Sequence, residues 1–133
     1  FIHISVDAPT TLTMLGRDNE LKRMMQNLLA NAVKFSPDGG GVEVVLKRFD
    51  EDLSAQGLQL EVLDRGAGIP NEQVARLFQR FSSGRAGGGI GLGLYLAKKI
   101  VESHGGNISY EPRPGGGSHF KVWLPLAAEI VTA

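Results

Sequence analysis

Six short stretches of the chain have the alternation or the composition of strands: Ile2–Asp7, Thr11–Leu15, Val42–Phe49, Gln59–Asp64, Asn107–Glu111 and Ser118–Leu124. Turn formers bound several of them, namely Ala8-Pro9, the polar loop 50–57 and the Pro- and Gly-rich segment 112–117. A period of two is typical of a strand with one buried face. The pattern therefore predicts a sheet.

Three other segments have helical spacing. The first begins at a capping residue, Asp18 or Asn19, and carries one apolar stripe, made of Leu21, Met24, Met25, Leu28, Ala32 and Phe35. The Pro- and Gly-rich run 36–41 ends it. A short helix is predicted over Asn71–Phe78, and a longer one over Leu92–His104, where two glycines stop it.

The order of these elements predicts the fold class. Long helical crossings between strand pairs favour helices packed on one face of a sheet. We predict an α/β (α+β) two-layer sandwich, with a mixed, mostly antiparallel sheet of about five strands and about three helices on one face. No repeat or interdomain linker is visible, so residues 1–133 are predicted to form a single domain.

Composition excludes several classes of protein. Lys plus Arg and Asp plus Glu balance at 14 each, which gives no charge excess for nucleic acid or a membrane surface. The chain has no Cys, so a disulfide framework and a thiolate metal site are excluded. No apolar run approaches the ~18 residues of a membrane span. Because the chain starts at Phe1 in a strand-like run, we expect it to be a piece of a longer protein.

A first polar cluster lies on the long predicted helix. Asn27, Asn31 and Lys34 are spaced so that they share one face, and that face is not the apolar stripe. An amide oxygen is a hard ligand suited to Mg²⁺, and a lysine can neutralise phosphate. The alternative is an ordinary solvated face.

A second cluster, residues 64–70, follows an apolar strand. The carboxylate of Asp64 can accept a hydrogen bond from the amino group of a base, and Gly66 and Gly68 let the backbone approach a flat ligand. The alternative is a simple β-turn, since Asp and Gly are turn formers.

Two further clusters follow. Phe78 and Phe81 are spaced to anchor a mobile loop to the core, and plain core packing is compatible with that. A glycine-rich run then enters a helix, where backbone N–H groups and the helix dipole suit phosphate. The alternative is a disordered linker. The run lacks the Gly-Lys-Ser/Thr ending of a Walker loop and the Gly-x-Gly-x-x-Gly spacing of a Rossmann site.

Together the four clusters resemble the N box, first glycine box, F box and second glycine box of the GHKL ATPase superfamily, in the order typical of its histidine kinase branch. Residues 100–106 and 117–125 resemble the closing segment of that branch. The resemblance covers nearly the whole chain. It implies the Bergerat ATP-binding fold of a sensor histidine kinase's catalytic domain, with ATP and Mg²⁺ as ligands.

At the phosphate end, the resemblance assigns Asn31 to the metal ligand and Asn27 to the polar residue beside metal and phosphates. Lys34 corresponds to a phosphate-contacting base, and Arg85 is placed to reach the γ-phosphate; with Asn31 these form the predicted catalytic set. The residues implied to cover and bind the phosphates are Gly87, Gly88, Gly89, Ile90, Gly91, Leu92, Gly93 and Leu94.

At the base end, Asp64 corresponds to the Asp that binds the adenine amino group, and Phe35 to the aromatic at the adenine pocket. The residues implied to line the base are Gly66, Gly68 and Ile69. Ser118 stands where Thr is usual, with a hydroxyl that can reach the Asp64 network.

Three features separate this chain from its relatives in the superfamily. The segment between Phe81 and Gly87 is short for an ATP lid, and Ile90 replaces the usual Thr or Ser between two glycines. In the HSP90, gyrase and MutL branches a Glu at the position of Asn27 activates water. Because an amide cannot act as a general base, we expect slow hydrolysis by this domain.

The reaction implied is transfer of the γ-phosphate of ATP to a protein histidine in two-component signalling. The acceptor is expected on the dimerisation domain of the parent protein, because His3, His104 and His119 lack the acceptor's context and are predicted to be structural. The domain alone is therefore expected not to autophosphorylate.

The partners implied are that dimerisation domain and a response regulator, with no nucleic acid and no membrane contact. We expect a cytoplasmic, monomeric domain of a homodimeric parent, whether or not the parent sits in a membrane. Two alternatives stay open: an anti-sigma-factor-type serine protein kinase, and a degenerate nucleotide-binding regulatory module.

Overall fold

A five-stranded sheet is the frame of the molecule in the computed structural model, which describes residues 2–7, 16–36, 40–52, 54–79 and 90–126, with backbone alone for 2–7 and 90–92. The strands are β1 (Ile2–Asp7), β2 (Val42–Arg48), β3 (Gly57–Leu63), β4 (Asn107–Pro112) and β5 (Ser118–Pro125). Their order is β1-β2-β3-β5-β4. The β1–β2 pair is parallel and the other three are antiparallel, so the mixed, mostly antiparallel sheet is confirmed. The predicted strand Thr11–Leu15 lies outside the described residues.

The helices are α1 (Asp18–Phe35), α2 (Asn71–Val74) and α3 (Ile90–Ser103), and the predicted α/β sandwich is confirmed. Helix α2 is shorter than predicted, since residues 75–78 continue as turns. Helix α3 begins two residues earlier than predicted, at Ile90. Helix α1 begins at Asp18 after Arg17 in the cap position, which makes no side-chain capping bond, so neither predicted cap residue serves as one.

The core lies between α1, α3 and the inner face of the sheet. Helix α1 buries Met24, Leu28 and Ala32. The other buried apolar residues include Val42, Val44, Leu60, Val62, Leu94, Ala97, Val101, Phe120, Val122 and Leu124. The stripe predicted on α1 was too wide, because Met25 is 40% exposed. Met25 follows Met24 by one residue, which turns its side chain about 100° away from the core.

The start of α1 is tied to the end of α3 by His104. The backbone N–H of Arg17 donates to His104 Nε2 at 3.0 Å, and His104 Nδ1 lies 2.8 Å from the carbonyl oxygen of Ile100. These contacts require a neutral ring with its proton on Nδ1. The Arg17 guanidinium also donates to Ser103 Oγ at 2.8 Å. This histidine is structural, as the sequence predicts.

On the other face of the sheet, His119 belongs to a polar cluster. His119 Nε2 lies 2.6 Å from Glu61 Oε1, and Lys47 Nζ lies 3.3 Å from Glu61 Oε2. The described helices include none that is long and apolar enough to cross a membrane.

Candidate functional site

One pocket brings the first two sequence clusters together. It has a volume of about 140 Å³ and lies where the last turns of α1 meet the ends of β3 and α2 and the start of β5. Its lining residues are Asn31, Phe35, Asp64, Gly68, Ile69, Pro70, Gln73 and Ser118. Six of these eight are predicted site residues, and they come from positions up to 87 residues apart in the sequence (118 − 31). Pro70 and Gln73 were not predicted.

Asp64 is the most constrained polar residue of the pocket. Its side chain is 2% exposed, and Oδ1 accepts the backbone N–H groups of Gly66 at 2.8 Å and Ser118 at 3.2 Å. These bonds fix the carboxylate plane, and the described residues give Oδ2 no donor. A carboxylate oxygen at the pocket with no donor among the described residues suits a ligand that donates an N–H.

The glycines of the second cluster bring backbone against backbone. A Cβ on Gly66 would collide with the carbonyl oxygen of Phe35, so a side chain there would push the loop away from α1. Gly68 has φ +78°, a conformation that L side chains rarely adopt. The contact of this loop with a flat ligand stays a prediction.

Asn27 and Asn31 lie on the α1 face directed at α3. Asn27 is opposite the first turns of α3, because a Cβ on Gly93 would lie 3.9 Å from Asn27 Cγ. The atoms Asn27 Nδ2 and Asn31 Oδ1 are both buried and make no hydrogen bond to any residue that the structure describes. Unpaired buried polar atoms are uncommon and call for an explanation. A donor and an acceptor one helical turn apart fit a ligand with oxygen atoms and a hard cation.

The aromatic residues divide between the pocket and the core. Phe35 is 41% exposed at the pocket, and the Lys34 ammonium lies 5.6 Å from the centre of its ring. Phe78 instead meets Phe120 edge-on, with 6.2 Å between ring centres. The core-packing interpretation of Phe78 therefore holds, while Phe81 lies outside the described residues.

The second glycine cluster is described only from Ile90 onward. Gly93 faces Asn27 across the helix interface, and the side chain of Leu94 is 1% exposed in the core. Because Leu94 is the fifth residue of α3, its backbone N–H lies within the helical hydrogen-bond pattern, and its phosphate role stays a prediction. Arg85, Gly87, Gly88 and Gly89 lie outside the described residues, as do the side chains of Ile90 and Leu92.

Beyond the pocket lining, Tyr110 and Arg113 are two neighbours of the site that the sequence did not indicate. The backbone N–H of Ile69 donates to the Tyr110 hydroxyl at 3.2 Å, and Arg113 Nη1 donates to the carbonyl oxygen of Asp64 at 3.3 Å. The Ile69–Tyr110 contact spans 41 residues and the Asp64–Arg113 contact 49, so no local pattern marks either one.

A buried Asp at the end of a strand, two amide side chains with unpaired buried atoms on α1 and a pocket lined in part by Gly68 lie together in an α/β sandwich. Residues 16–128 match the model of a family described as histidine kinase-, DNA gyrase B- and HSP90-like ATPases, and the chain belongs to that family. Within it, the chain is a catalytic and ATP-binding domain of the sensor histidine kinase type.

Three relatives illustrate the similarity. The sensor histidine kinase AruS of Pseudomonas aeruginosa is 42% identical over 117 residues, which is 84% of this chain and 12% of AruS. The structure of the mycobacterial sensor histidine kinase MprB aligns with a TM-score of 0.74 and 31% identity, over 94% of this chain and 84% of that one. Full-length ShkA, in complex with AMPPNP, aligns with a TM-score of 0.74 and 29% identity, over 96% of this chain and 26% of ShkA.

Proposed function

We propose that this domain binds Mg-ATP and transfers its γ-phosphoryl group to a histidine on the dimerisation domain of a longer sensor kinase. The observation that carries the proposal is the placement of Asp64 and Asn31 on one pocket, each with an oxygen that lacks a donor among the described residues. The ATP analogue in the ShkA structure supports the same class of ligand.

At the base end, Asp64 Oδ2 accepts the exocyclic amino group of adenine. The backbone of Gly66, Gly68 and Ile69 lies against the ring, and Phe35 covers its other side. The Ser118 hydroxyl joins the Asp64 network, since its backbone N–H already binds Oδ1. A purine without an amino group leaves Asp64 unpaired, which disfavours it.

At the phosphate end, Asn31 Oδ1 holds Mg²⁺ and Asn27 Nδ2 donates to a phosphate oxygen. In this assignment the unpaired acceptor, Asn31 Oδ1, contacts the cation, and the unpaired donor, Asn27 Nδ2, contacts the anion. When bound, Mg²⁺ neutralises phosphate charge. Lys34 adds a positive charge at the same end, and Arg85 reaches the γ-phosphate. The glycine-rich segment from Gly87 to Leu94 supplies backbone N–H groups.

Neither His104 nor His119 is the acceptor histidine. Both ring nitrogens of His104 are occupied, and His119 binds Glu61 on the opposite face of the sheet. In the transfer, an imidazole nitrogen forms a bond to the γ-phosphorus and the bond to the β–γ bridging oxygen breaks. ADP leaves with that oxygen and the ring proton passes to solvent. The domain positions ATP and stabilises the charge on the phosphoryl group that is transferred.

We further propose that the domain is cytoplasmic and monomeric and works inside a homodimeric parent, with a response regulator downstream. This domain contacts no nucleic acid and no membrane.

The test is transfer of label from [γ-³²P]ATP to a separately supplied dimerisation domain that carries the acceptor histidine. An acid-labile, base-stable product is expected, because a phosphoramidate hydrolyses in acid. An acid-stable product would instead indicate a serine kinase. ATP binding without any product would indicate a degenerate regulatory module. The Asn31→Ala variant is the control and should give no product.

A further inference from the structure

Residues 64–69 form the loop that carries the proposed base contacts. This loop is hydrogen-bonded to β4 and to the turn that follows β4. At the start of the loop, Arg113 Nη1 donates to the carbonyl oxygen of Asp64 at 3.3 Å. At its end, the backbone N–H of Ile69 donates to the Tyr110 hydroxyl oxygen at 3.2 Å. Neither Tyr110 nor Arg113 lines the pocket itself.

Between these two hydrogen bonds, the loop rests directly on the β4–β5 turn. A Cβ on Gly117 would collide with the carbonyl oxygen of Asp64, and a Cβ on Gly68 would come within 3.4 Å of the carbonyl oxygen of Gly117. No side chain separates the two backbones. If the turn shifted toward the loop, the loop would therefore have to shift with it.

The two anchoring side chains are themselves fixed. Tyr110 pairs with Phe120 in the sheet register, and their rings lie 5.3 Å apart, with Phe120 buried in the core. The Arg113 side chain is 11% exposed, and its Nη2 lies 2.7 Å from Glu43 Oε1 on β2. Because both anchors are packed, they set where Asp64 and Ile69 lie.

We propose that Tyr110 and Arg113 are positioning residues of the nucleotide site. They fix the height of the Gly66–Ile69 backbone beneath the base, relative to the Asp64 carboxylate whose direction the sheet sets, and so they set selectivity for the amino group of adenine. The inference rests on the proposed function, because it concerns the same site. Neither residue touches the nucleotide.

The test compares Tyr110→Phe with Glu111→Gln. The first change removes the hydroxyl and keeps the ring against Phe120. The second alters the next residue of β4, whose exposed side chain pairs with Lys121 at 3.2 Å and points away from the loop. Affinity is measured for ATP and for purine riboside triphosphate, which lacks the amino group. Hydrogen exchange of the Ile69 amide is measured without nucleotide.

For Tyr110→Phe we expect ATP affinity to fall by about three- to tenfold, the effect of one hydrogen bond. Affinity for the analogue falls less, so the preference for ATP shrinks. Mere loss of folded protein lowers both affinities by the same factor and leaves the preference unchanged. The Ile69 amide also exchanges faster, because its acceptor is gone. Glu111→Gln changes none of these quantities.

An unchanged Ile69 exchange rate, an unchanged preference, or an equal effect of Glu111→Gln would overturn the role of Tyr110. Arg113→Lys tests the other end of the loop independently, because it keeps the charge beside Glu43 and loses the guanidinium fork that also reaches Asp64. It should lower the preference as well, and an unchanged preference would overturn the role of Arg113. A wild-type domain that binds no ATP would contradict the proposed function, a result distinct from all of these.

Discussion

The side chain of Asp64 extends the hydrogen-bond ladder of the sheet by one pair. The backbone N–H of Asp64 donates to the carbonyl oxygen of Ser118 at 3.0 Å, and Asp64 Oδ1 accepts the N–H of Ser118 at 3.2 Å. The last regular pair of the two strands is Leu63 with His119, directly before it. The carboxylate is therefore placed by the sheet itself, so its direction is set before any ligand arrives.

The domain alone should bind ATP and hydrolyse it very slowly. The resemblance implies that Asn27 corresponds to a Glu in the hydrolysing branches of the superfamily, and an amide cannot take a proton from water. Release of ADP, followed over hours with excess Mg-ATP, should stay near the rate without protein. Rapid Mg²⁺-dependent turnover would contradict the role given to Asn27.

Asn31→Asp should change the Mg²⁺ dependence of ATP binding much more than it changes the binding of adenosine. A carboxylate in place of the buried amide oxygen adds a charge beside the cation and the phosphates, and adenosine has neither. Calorimetric titrations with ATP at several Mg²⁺ concentrations, and with adenosine, check this. Asn107→Asp, at an exposed site on β4, is the matched control. An equal loss of affinity for both ligands would count against the metal assignment.

Met24→Ala and Met25→Ala should differ widely in their effects on stability. Met24 is 1% exposed and Met25 is 40% exposed, although they are neighbours of the same type. Truncation of the buried side chain should lower the free energy of unfolding by about 2–5 kcal/mol. The exposed change should stay within about 0.5 kcal/mol. Urea denaturation measures the free energy of unfolding of both variants, and similar losses would contradict the burial of Met24 and the exposure of Met25.

Acid should weaken the fold through Glu61. Burial raises the pKa of Glu61, but hydrogen bonds from His119 and Lys47 outweigh it and hold the pKa below its usual value. A folded-state pKa below the unfolded one gives stability that is present above the unfolded value, about 4.3, and lost as pH falls through the folded value.

Glu61→Gln should therefore flatten the dependence of unfolding free energy on pH in that acidic window. The unfolding free energies of both proteins are measured by heat or urea from about pH 3 to about pH 7, a range that brackets the ordinary carboxyl pKa. Glu111→Gln, at an exposed ion pair on the same face, should leave the wild-type dependence in place. If the unfolding free energy of Glu61→Gln depended on pH in the same way as that of the wild type, the contribution of Glu61 to acid sensitivity would be refuted.

Periodicity predicted most of the fold, because strands and helices here bury one face each. In β5, Ser118, Phe120, Val122 and Leu124 are buried and the residues between them are more exposed, as their alternation predicts. The start of α1 was missed by one or two residues, because Arg17 occupies the cap position and bonds to Ser103 and His104 at the end of α3. That contact depends on the packing of two helices, which no local pattern contains.

The candidate site was predictable as far as its residues lie in short motifs. Asn31, Asp64 and Gly68 line one pocket, and their roles toward ATP stay predictions. Gln73 and Tyr110 were missed for a physical reason. Gln73 lines the pocket from α2 and Tyr110 supports it from an edge strand, and in both cases tertiary packing rather than local sequence brings them there.

Calorimetric titration of Mg-ATP into wild type, Asp64→Asn and Asp52→Asn is the sharpest test of the adenine site. The last is a matched control, because Asp52 also accepts a backbone N–H, from Ser54 at 2.8 Å, but lies in the β2–β3 loop away from the pocket. We predict one-site binding to the wild type, a loss of about 1–3 kcal/mol in Asp64→Asn and no change in Asp52→Asn. Equal affinity of Asp64→Asn and wild type would contradict the placement of the adenine site.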